Sequence, residues 1–409
     1  MTSSTQGAAT LPDMLSPEFA ADPYPIYHAW HEDHPLLWHE QRKAWIVSRY
    51  DDVRVALMSD DFSTEPYWEM NGVMHGRSIN NMGGREHVKT RALVQPALRG
   101  KTFEARTRPI IHEHAQRLAD AIKGRGSADL VAEFTTPLPL LVIRHVLGLP
   151  DEDHEFFKRI YIDKHDYFYN FDNDPEITRR AFQAVEDFED YMYRLIAERR
   201  ADPREDLVSE LAHAQVDGEQ LSDQDIKSFC SLLLAGGAET TASTTASMFM
   251  NLLLNPAQLD AVRADRALIP RAFAEAVRYA VPNQIVPRKA LKDVELSGGT
   301  VREGDHLMVF HGAANRDAGK FERPDEFDIF RSELDSDKDF SNASFHMAFG
   351  RGRHFCVGAF LARHEAEISA NIVLDNLPGL RLADGHQPRE AGHFSRGPAE
   401  LLVEFDASA

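Results

Sequence analysis

A chain of 409 residues, 43% of them hydrophobic, is long enough to bury a core that encloses a cofactor. Its 45 basic and 65 acidic residues leave a net charge of −20, which argues against nucleic acid or an anionic membrane as a general partner. Two cysteines exclude a disulfide framework and suit a reducing compartment, here taken as the cytoplasm.

Met1 to Thr10 is small and polar, so neither a secretory signal nor a membrane anchor is expected there. Residues 1–20 read as a mobile N-terminus and 21–409 as one domain, since no repeat or Pro/Gly/Ser linker divides them. Asp22-Pro23-Tyr24-Pro25 leads into a short helix ending near His34-Pro35. Leu36–Glu40 and Ala44–Ser48, separated by Gln41-Arg42-Lys43, predict a β-hairpin. Asp51-Asp52 offers a cap to a helix whose apolar face is Val53, Val55, Ala56 and Leu57. Glu65–Gly84 has no clean period and reads as a long loop of the kind that often carries function. Arg85–Leu98 predicts a helix on which His87 and Arg91, four apart, share a face; a solvated basic face would have the same spacing. Helices are predicted over Thr107–Lys123, Leu138–Leu147 and Glu155–Asp172. The last runs into an aromatic cluster, Tyr161 to Phe171, which has no diagnostic pattern.

Ser222 caps a predicted helix that runs to Leu254 and stops before Asn255-Pro256, about 48 Å at 1.5 Å per residue. It is apolar along Ile226, Phe229, Leu232, Leu233 and Leu234, yet carries Gly236-Gly237 at its middle, where each glycine costs about 1 kcal/mol relative to alanine. Close approach of a flat ligand, or local opening of the helix, would justify that cost. Glu239 follows with small or neutral neighbours at three and four residues, which weakens the usual reading of a solvated acid. Pro270 opens another helix, on which Glu275 and Arg278 are three apart. Val281 to Arg288 reads as extended chain, and Val294–Leu296, Thr300–Val301, His306–Phe310 and Leu401–Phe405 as short strands.

The loop from Phe349 to Gly358 carries Cys356 and opens into a predicted helix, Ala359 to Asn376. Gly350, Gly352 and Gly358 permit positive φ and close approach of a flat ligand, while Phe349 and Phe355 form an apolar wall. The helix N-terminus, with Arg351, Arg353 and His354, is expected to favour the thiolate, a nucleophile or metal ligand. A small buried hydrophobe is the commonest state of a free cysteine. Zinc would need about four ligands in close pairs, and Cys230 is far away in sequence. A cysteine hydrolase remains open on these residues, because 19 histidines offer a base.

The pattern Phe349-Gly350-x-Gly352-x-His354-x-Cys356-x-Gly358 resembles, position for position, the haem-ligand loop of the cytochrome P-450 family of haem-thiolate monooxygenases. Gly236-Gly237-Ala238-Glu239-Thr240-Thr241 is similar to that family's oxygen-activation motif, Glu275-x-x-Arg278 to its buried ion pair, and His87-x-x-x-Arg91 to its propionate-binding helix. The resemblance extends from Asp22 onward. It implies a mainly α fold with small β-sheets, and haem b between the long central helix and the cysteine-loop helix. It implies Cys356 as axial ligand, with His87, Arg91, Ala235, Arg288, Phe349, Arg351, His354 and Gly358 around the cofactor. Thr240 would hold a hydrogen bond and Glu239 relay protons. Trp68, Met74, Phe168, Leu234, Ala235, Ile285, Val286 and Phe394 would line the substrate chamber, with His165, His393 or Asn283 as a polar anchor. The implied reaction inserts one oxygen atom from O2 into a hydrophobic small molecule, by hydroxylation, epoxidation or oxidative dealkylation. Electrons would come from a separate ferredoxin- or flavodoxin-type donor and its reductase, since no iron–sulfur cysteine cluster or flavin segment is present. A peroxide-using or isomerising haem-thiolate enzyme is the second reading and a non-enzymatic haem sensor or carrier the third; the Glu239-Thr240 pair argues against both.

Overall fold

A computed structural model describes residues 13–100, 103–168, 170, 172–216 and 218–407. Helices α1 (Pro17–Ala21) and α2 (Tyr24–Asp33) precede the hairpin of β1 (Leu36–His39) and β2 (Ala44–Val47), in which Leu36 faces Val47. There follow α3 (Tyr50–Met58), β3 (Phe62–Ser63), α4 (Pro66–His75) and α5 (Gly84–Val94). Next come α6 (Arg108–Ile122), β4 (Ser127–Asp129), α7 (Pro137–Val146), α8 (His154–Phe168), α9 (Pro175–Ala201) and α10 (Leu207–His213). A small hairpin, β5 (Gln215–Val216) and β6 (Glu219–Gln220), leads to α11 (Asp223–Leu254).

Two more helices, α12 (Pro256–Ala264) and α13 (Ile269–Tyr279), lead to β7 (Ile285–Ala290), β8 (Val294–Leu296), β9 (Gly299–Val301) and β10 (His306–Phe310). The chain closes with α14 (His311–Ala314), α15 (Ala359–Asn376), β11 (Arg381–Leu382), β12 (Glu390–Ala391), β13 (Gly397–Pro398) and β14 (Leu402–Glu404). The largest sheet has the order β1-β2-β10-β7-β3, with β10 parallel to β2 and the other pairs antiparallel. The architecture is mainly helical with small sheets, as expected.

The central helix α11 is built as its sequence dictates. The Ser222 hydroxyl accepts from the Asp225 N–H at 3.1 Å and the Asp225 carboxylate accepts from the Ser222 N–H at 3.1 Å, a reciprocal cap that satisfies two otherwise orphaned donors. Asn255 and Pro256 end it. Buried side chains lie all round it, from Ile226 and Phe229 to Met248 and Leu252, because α7, α9, α13 and α15 pack on different sides. Gly236 and Gly237 do not open it: the helix is continuous through both.

Of the stretch 1–20, expected to be mobile, residues 1–12 lie outside the described residues; Ser16 accepts from the Phe19 N–H to cap α1, and Met14 and Phe19 are buried against Tyr27 and Trp30. Three expectations are corrected. Asp51 and Asp52 do not cap α3, whose N-cap is Arg49; Asp52 instead accepts from the Ser297 N–H at 3.1 Å. Within the expected loop 65–84, Pro66 starts α4 and Gly76, at φ +80°, ends it. Trp68, Met70 and Val73 stay exposed on α4, so no apolar period marks it. Finally, no element is predicted between 173 and 206, yet α9 occupies most of that stretch. Its start signal is in the sequence: the Asp174 carboxylate accepts from the Glu176 N–H at 2.7 Å and Pro175 follows it. Of the aromatic cluster, Tyr169 and Phe171 lie outside the described residues.

Candidate active site

The cysteine loop folds on itself through the Cys356 N–H, which donates to the Phe349 carbonyl at 2.8 Å, and the Gly350 N–H, which donates to Met347 at 2.9 Å. Gly350 and Gly352 take φ +68° and +73°, which side chains resist. Gly358 does not; at φ −89° its use is proximity, since a Cβ there would stand 3.9 Å from the Cys356 sulfur. The sulfur opens onto an internal cavity walled by Phe349 and Phe355. Burial pushes the thiol up, against the N–H groups of Gly358 and Ala359 and the charge of Arg91, which pull it down. The expected bias to thiolate is thus outweighed by burial. Arg353 is turned to Asp60 and Arg351 to the Phe345 carbonyl at 3.2 Å, so neither loop arginine acts on the sulfur as Arg91 does. A metal ion on the sulfur would reverse the balance, because a coordinating thiol is deprotonated outright.

Along one edge of the cavity stand His87, Arg91, Arg288, His311 and His354. His87 is 1% exposed and neither ring nitrogen has a partner; the ring lies 4.2 Å from that of His354. Burial, then the charges of Arg91 and Arg353, push His87 down to about 4. Burial, then His87 and Arg288, push His354 down to about 3. Both are neutral near pH 7, each with one N–H to donate. Arg288 is buried and hydrogen-bonds Tyr67, and Arg91 reaches the Arg353 carbonyl at 3.3 Å. No Asp or Glu is among the described residues lining this cavity. Buried cations and orphaned imidazoles without a carboxylate fit a ligand that brings its own, as haem b does with its two propionates.

Another wall is α11. Gly236 and Gly237 both border the cavity; a Cβ on Gly236 would meet nothing within 4 Å, whereas a Cβ on Gly237 would come within 2.9 Å of Ile143 on α7. Gly237 therefore answers to helix packing as well as to room over the cavity. The Thr240 hydroxyl faces the cavity and donates to the Gly236 carbonyl at 2.6 Å. Glu239 is turned away, with His165 Nε2 3.1 Å from its Oε1 and the Ser395 hydroxyl donating to the same oxygen.

Of the candidate chamber residues, Val286 borders the cavity. Leu234 and Ala235 do not, their places being taken by Leu232, Leu233 and Gly236. Trp68, half exposed, lines a side cavity next to Arg288 and His354. Met74 is buried away from the cavity, and Phe168 stacks on His75 at 5.8 Å. Ile285 and Phe394 pack into the N-terminal core with Phe19 and Trp30. Among the lining residues that the sequence does not reveal are Tyr67, inside the supposed loop, and His311, 3% exposed with both ring nitrogens unpartnered.

Beneath the cysteine loop, Glu275 and Arg278 are fully buried and meet in two parallel contacts of 2.7 Å. A buried pair of this kind needs every remaining valence filled. Arg278 donates to the carbonyls of Asn315 and Pro324, and Glu275 also accepts from Arg331 at 3.2 Å and the Asp328 N–H at 2.9 Å. Arg331, a lone arginine without a motif, is the member that the sequence does not reveal.

A family model described as Cytochrome P450 matches residues 26–378. The pulcherriminic acid synthase of Bacillus subtilis (strain 168) is 36% identical over 397 residues, covering 97% of this chain and 98% of its own. The mycinamicin IV hydroxylase/epoxidase of Micromonospora griseorubida is 35% identical over 380 residues, covering 88% and 89%. The crystal structure of CYP109E1 from Bacillus megaterium in complex with testosterone superposes with a TM-score of 0.82 at 31% identity, covering 94% of this chain and 99% of that one.

Proposed function

The chain belongs to the cytochrome P450 family, whose members are haem b monooxygenases, and from that premise we propose how its cavity is used. Cys356 Sγ is the protein ligand to the haem iron, and His87, Arg91, Arg288 and His354 receive the haem carboxylates. The observation that carries this reading is the contrast within one cavity: a thiol on the floor, N–H donors and cations along one edge, and no acid among the described lining residues. When bound, the haem supplies oxygen activation, with a thiolate ligand that favours O–O cleavage.

The chain's own residues do the rest. Thr240 holds a hydroxyl at the cavity wall, fixed by its bond to Gly236. Glu239 moves protons between water and that hydroxyl. Phe229, Leu232, Leu233 and Val286 exclude water and favour a hydrophobic substrate with few polar anchors. The proposed product carries one oxygen atom from O2, by hydroxylation, epoxidation or oxidative dealkylation, with electrons from a ferredoxin- or flavodoxin-type donor and its reductase. A relative named for hydroxylation and epoxidation, and a neighbour crystallised with testosterone, support this class of chemistry.

Cys356→Ser tests the reading. The reduced protein under carbon monoxide is expected to lose the thiolate-type band while keeping its fold by circular dichroism. Persistence of the band would overturn the assignment of Cys356.

A further inference from the structure

Glu239 and Thr240 are adjacent in sequence but face different compartments. Thr240 lines the cavity, while the Glu239 carboxylate is turned to the outer side of α11. There it meets two side chains from elsewhere in the chain, His165 near the end of α8 and Ser395 in the loop before β13. His165 and Glu239 keep 31% and 27% of their side-chain surface exposed, so water reaches both. The Ser395 backbone also pairs, antiparallel, with that of Asn283, which lines the cavity. The acid therefore sits at a junction, with a partly wet imidazole on one side and the cavity wall on the other.

We propose that His165 is the positioning residue and proton intake for Glu239. It passes the proton on Nε2 to Glu239 Oε1 and takes a replacement from solvent. The N–H bond breaks as the O–H bond forms, leaving a neutral imidazole and a neutral carboxyl. With the ion pair discharged, the carboxyl exchanges its remaining contacts, the Ser395 hydroxyl among them, as it turns toward Thr240, and a proton from water restores the imidazolium. The inference rests on the relay role proposed above for Glu239.

The surroundings favour the protonated imidazole. Burial works against protonation, but the hydrogen bond and charge of Glu239, helped by Asp166, raise His165 above its ordinary value. Asp166 is itself held by Arg180 of α9 at 3.2 Å. The Tyr161 ring lies 5.8 Å from the imidazole on the same helix, and Ser395 is the neighbour from the terminal loop. Proton supply should thus be intact below the raised His165 value and fall as pH rises through it.

The test uses the haem-loaded enzyme with its electron donor. In the parent, product per reducing equivalent should fall as pH rises through the His165 titration, which is followed independently by NMR of labelled histidine. His165→Gln keeps a hydrogen-bond donor but does not titrate: that pH break should vanish and product per reducing equivalent drop by roughly tenfold, with the reduced carbon monoxide spectrum unchanged. His165→Lys should restore proton supply and move the break to higher pH. If His165→Gln kept the parent's pH break and yield while Glu239→Gln lost yield, the role of His165 would be overturned and that of Glu239 would stand. If Glu239→Gln also kept the parent's yield, both would fall.

Discussion

A hydroxyl on an interior helix has two uses, and geometry decides between them. The Thr240 proton is committed to the Gly236 carbonyl at 2.6 Å, so its lone pairs face the cavity and it acts there as an acceptor. Thr240→Ala should leave haem binding and substrate affinity nearly intact, since the lost bond is worth about 1 kcal/mol in a helix that keeps its backbone ladder. Product formed per reducing equivalent should fall severalfold, with hydrogen peroxide making up the difference, and Thr240→Ser should recover most of it. Unchanged yield in Thr240→Ala would remove the role proposed for that hydroxyl. At this scale the sequence is legible where a residue belongs to a spaced pattern, as Cys356, His87 and Arg91 do. It is illegible where a helix is buried on every side: α11 has no polar stripe to set its register, so the sequence does not show that Leu233 and Gly236, rather than Leu234 and Ala235, border the cavity. His311 failed for another reason, because a lone histidine ahead of Gly312-Ala313-Ala314 makes no pattern.

Elements were legible where their ends carry chemistry. The bounds of α11 and α15 follow from Ser222, Asn255-Pro256 and the glycine loop, whereas α4, with apolar residues left in water, showed no period. Helix α15, which carries the cysteine loop, has an internal cost of its own. Glu365 is 1% exposed, neither carboxyl oxygen has a partner, and burial pushes it up from 4.5 to about 8. The unfolded chain ionises near 4.5 and the folded one only near 8, so between those values the folded state binds the extra proton. Stability must then fall as pH rises, by up to roughly 1.4 kcal/mol per unit from this group alone. Glu365→Gln cannot ionise. Its amide still leaves polar atoms unpaired, at a cost of about 1 to 3 kcal/mol at every pH, so the slope is the diagnostic. Urea unfolding at pH 5.5, 6.5, 7.5 and 8 should show a shallower decline in the variant than in the parent. Parallel profiles would mean that Glu365 finds a partner or water in solution.

For the molecule as a whole, charge and its placement are at odds. The chain carries −20, and no helix among the described residues is long and apolar enough to cross a membrane. Yet the groove on the outer side of the cysteine loop is lined by Arg91, Arg99 and Arg353 beside Phe355 and Phe360, with no Asp or Glu among its described lining residues. Such local contrast is invisible in composition, because Arg91, Arg99 and Arg353 come together only when α5 packs beside the cysteine loop. An acidic electron carrier approaching this groove meets the arginines at contact range and the acidic remainder from farther away. At 0.1 M salt the Debye length is about 10 Å, which screens the distant acids more than the groove. Raising the salt to 1 M shortens it to about 3 Å and weakens the groove as well. Reduction by an acidic ferredoxin should therefore slow steadily across that interval. Arg99→Glu, an exposed change away from the cavity, should slow reduction at 0.1 M and flatten its salt dependence while leaving substrate binding unchanged. A parent rate that rose with salt over the same range would mean that repulsion by the whole chain governs the encounter, and the carrier would have to dock elsewhere.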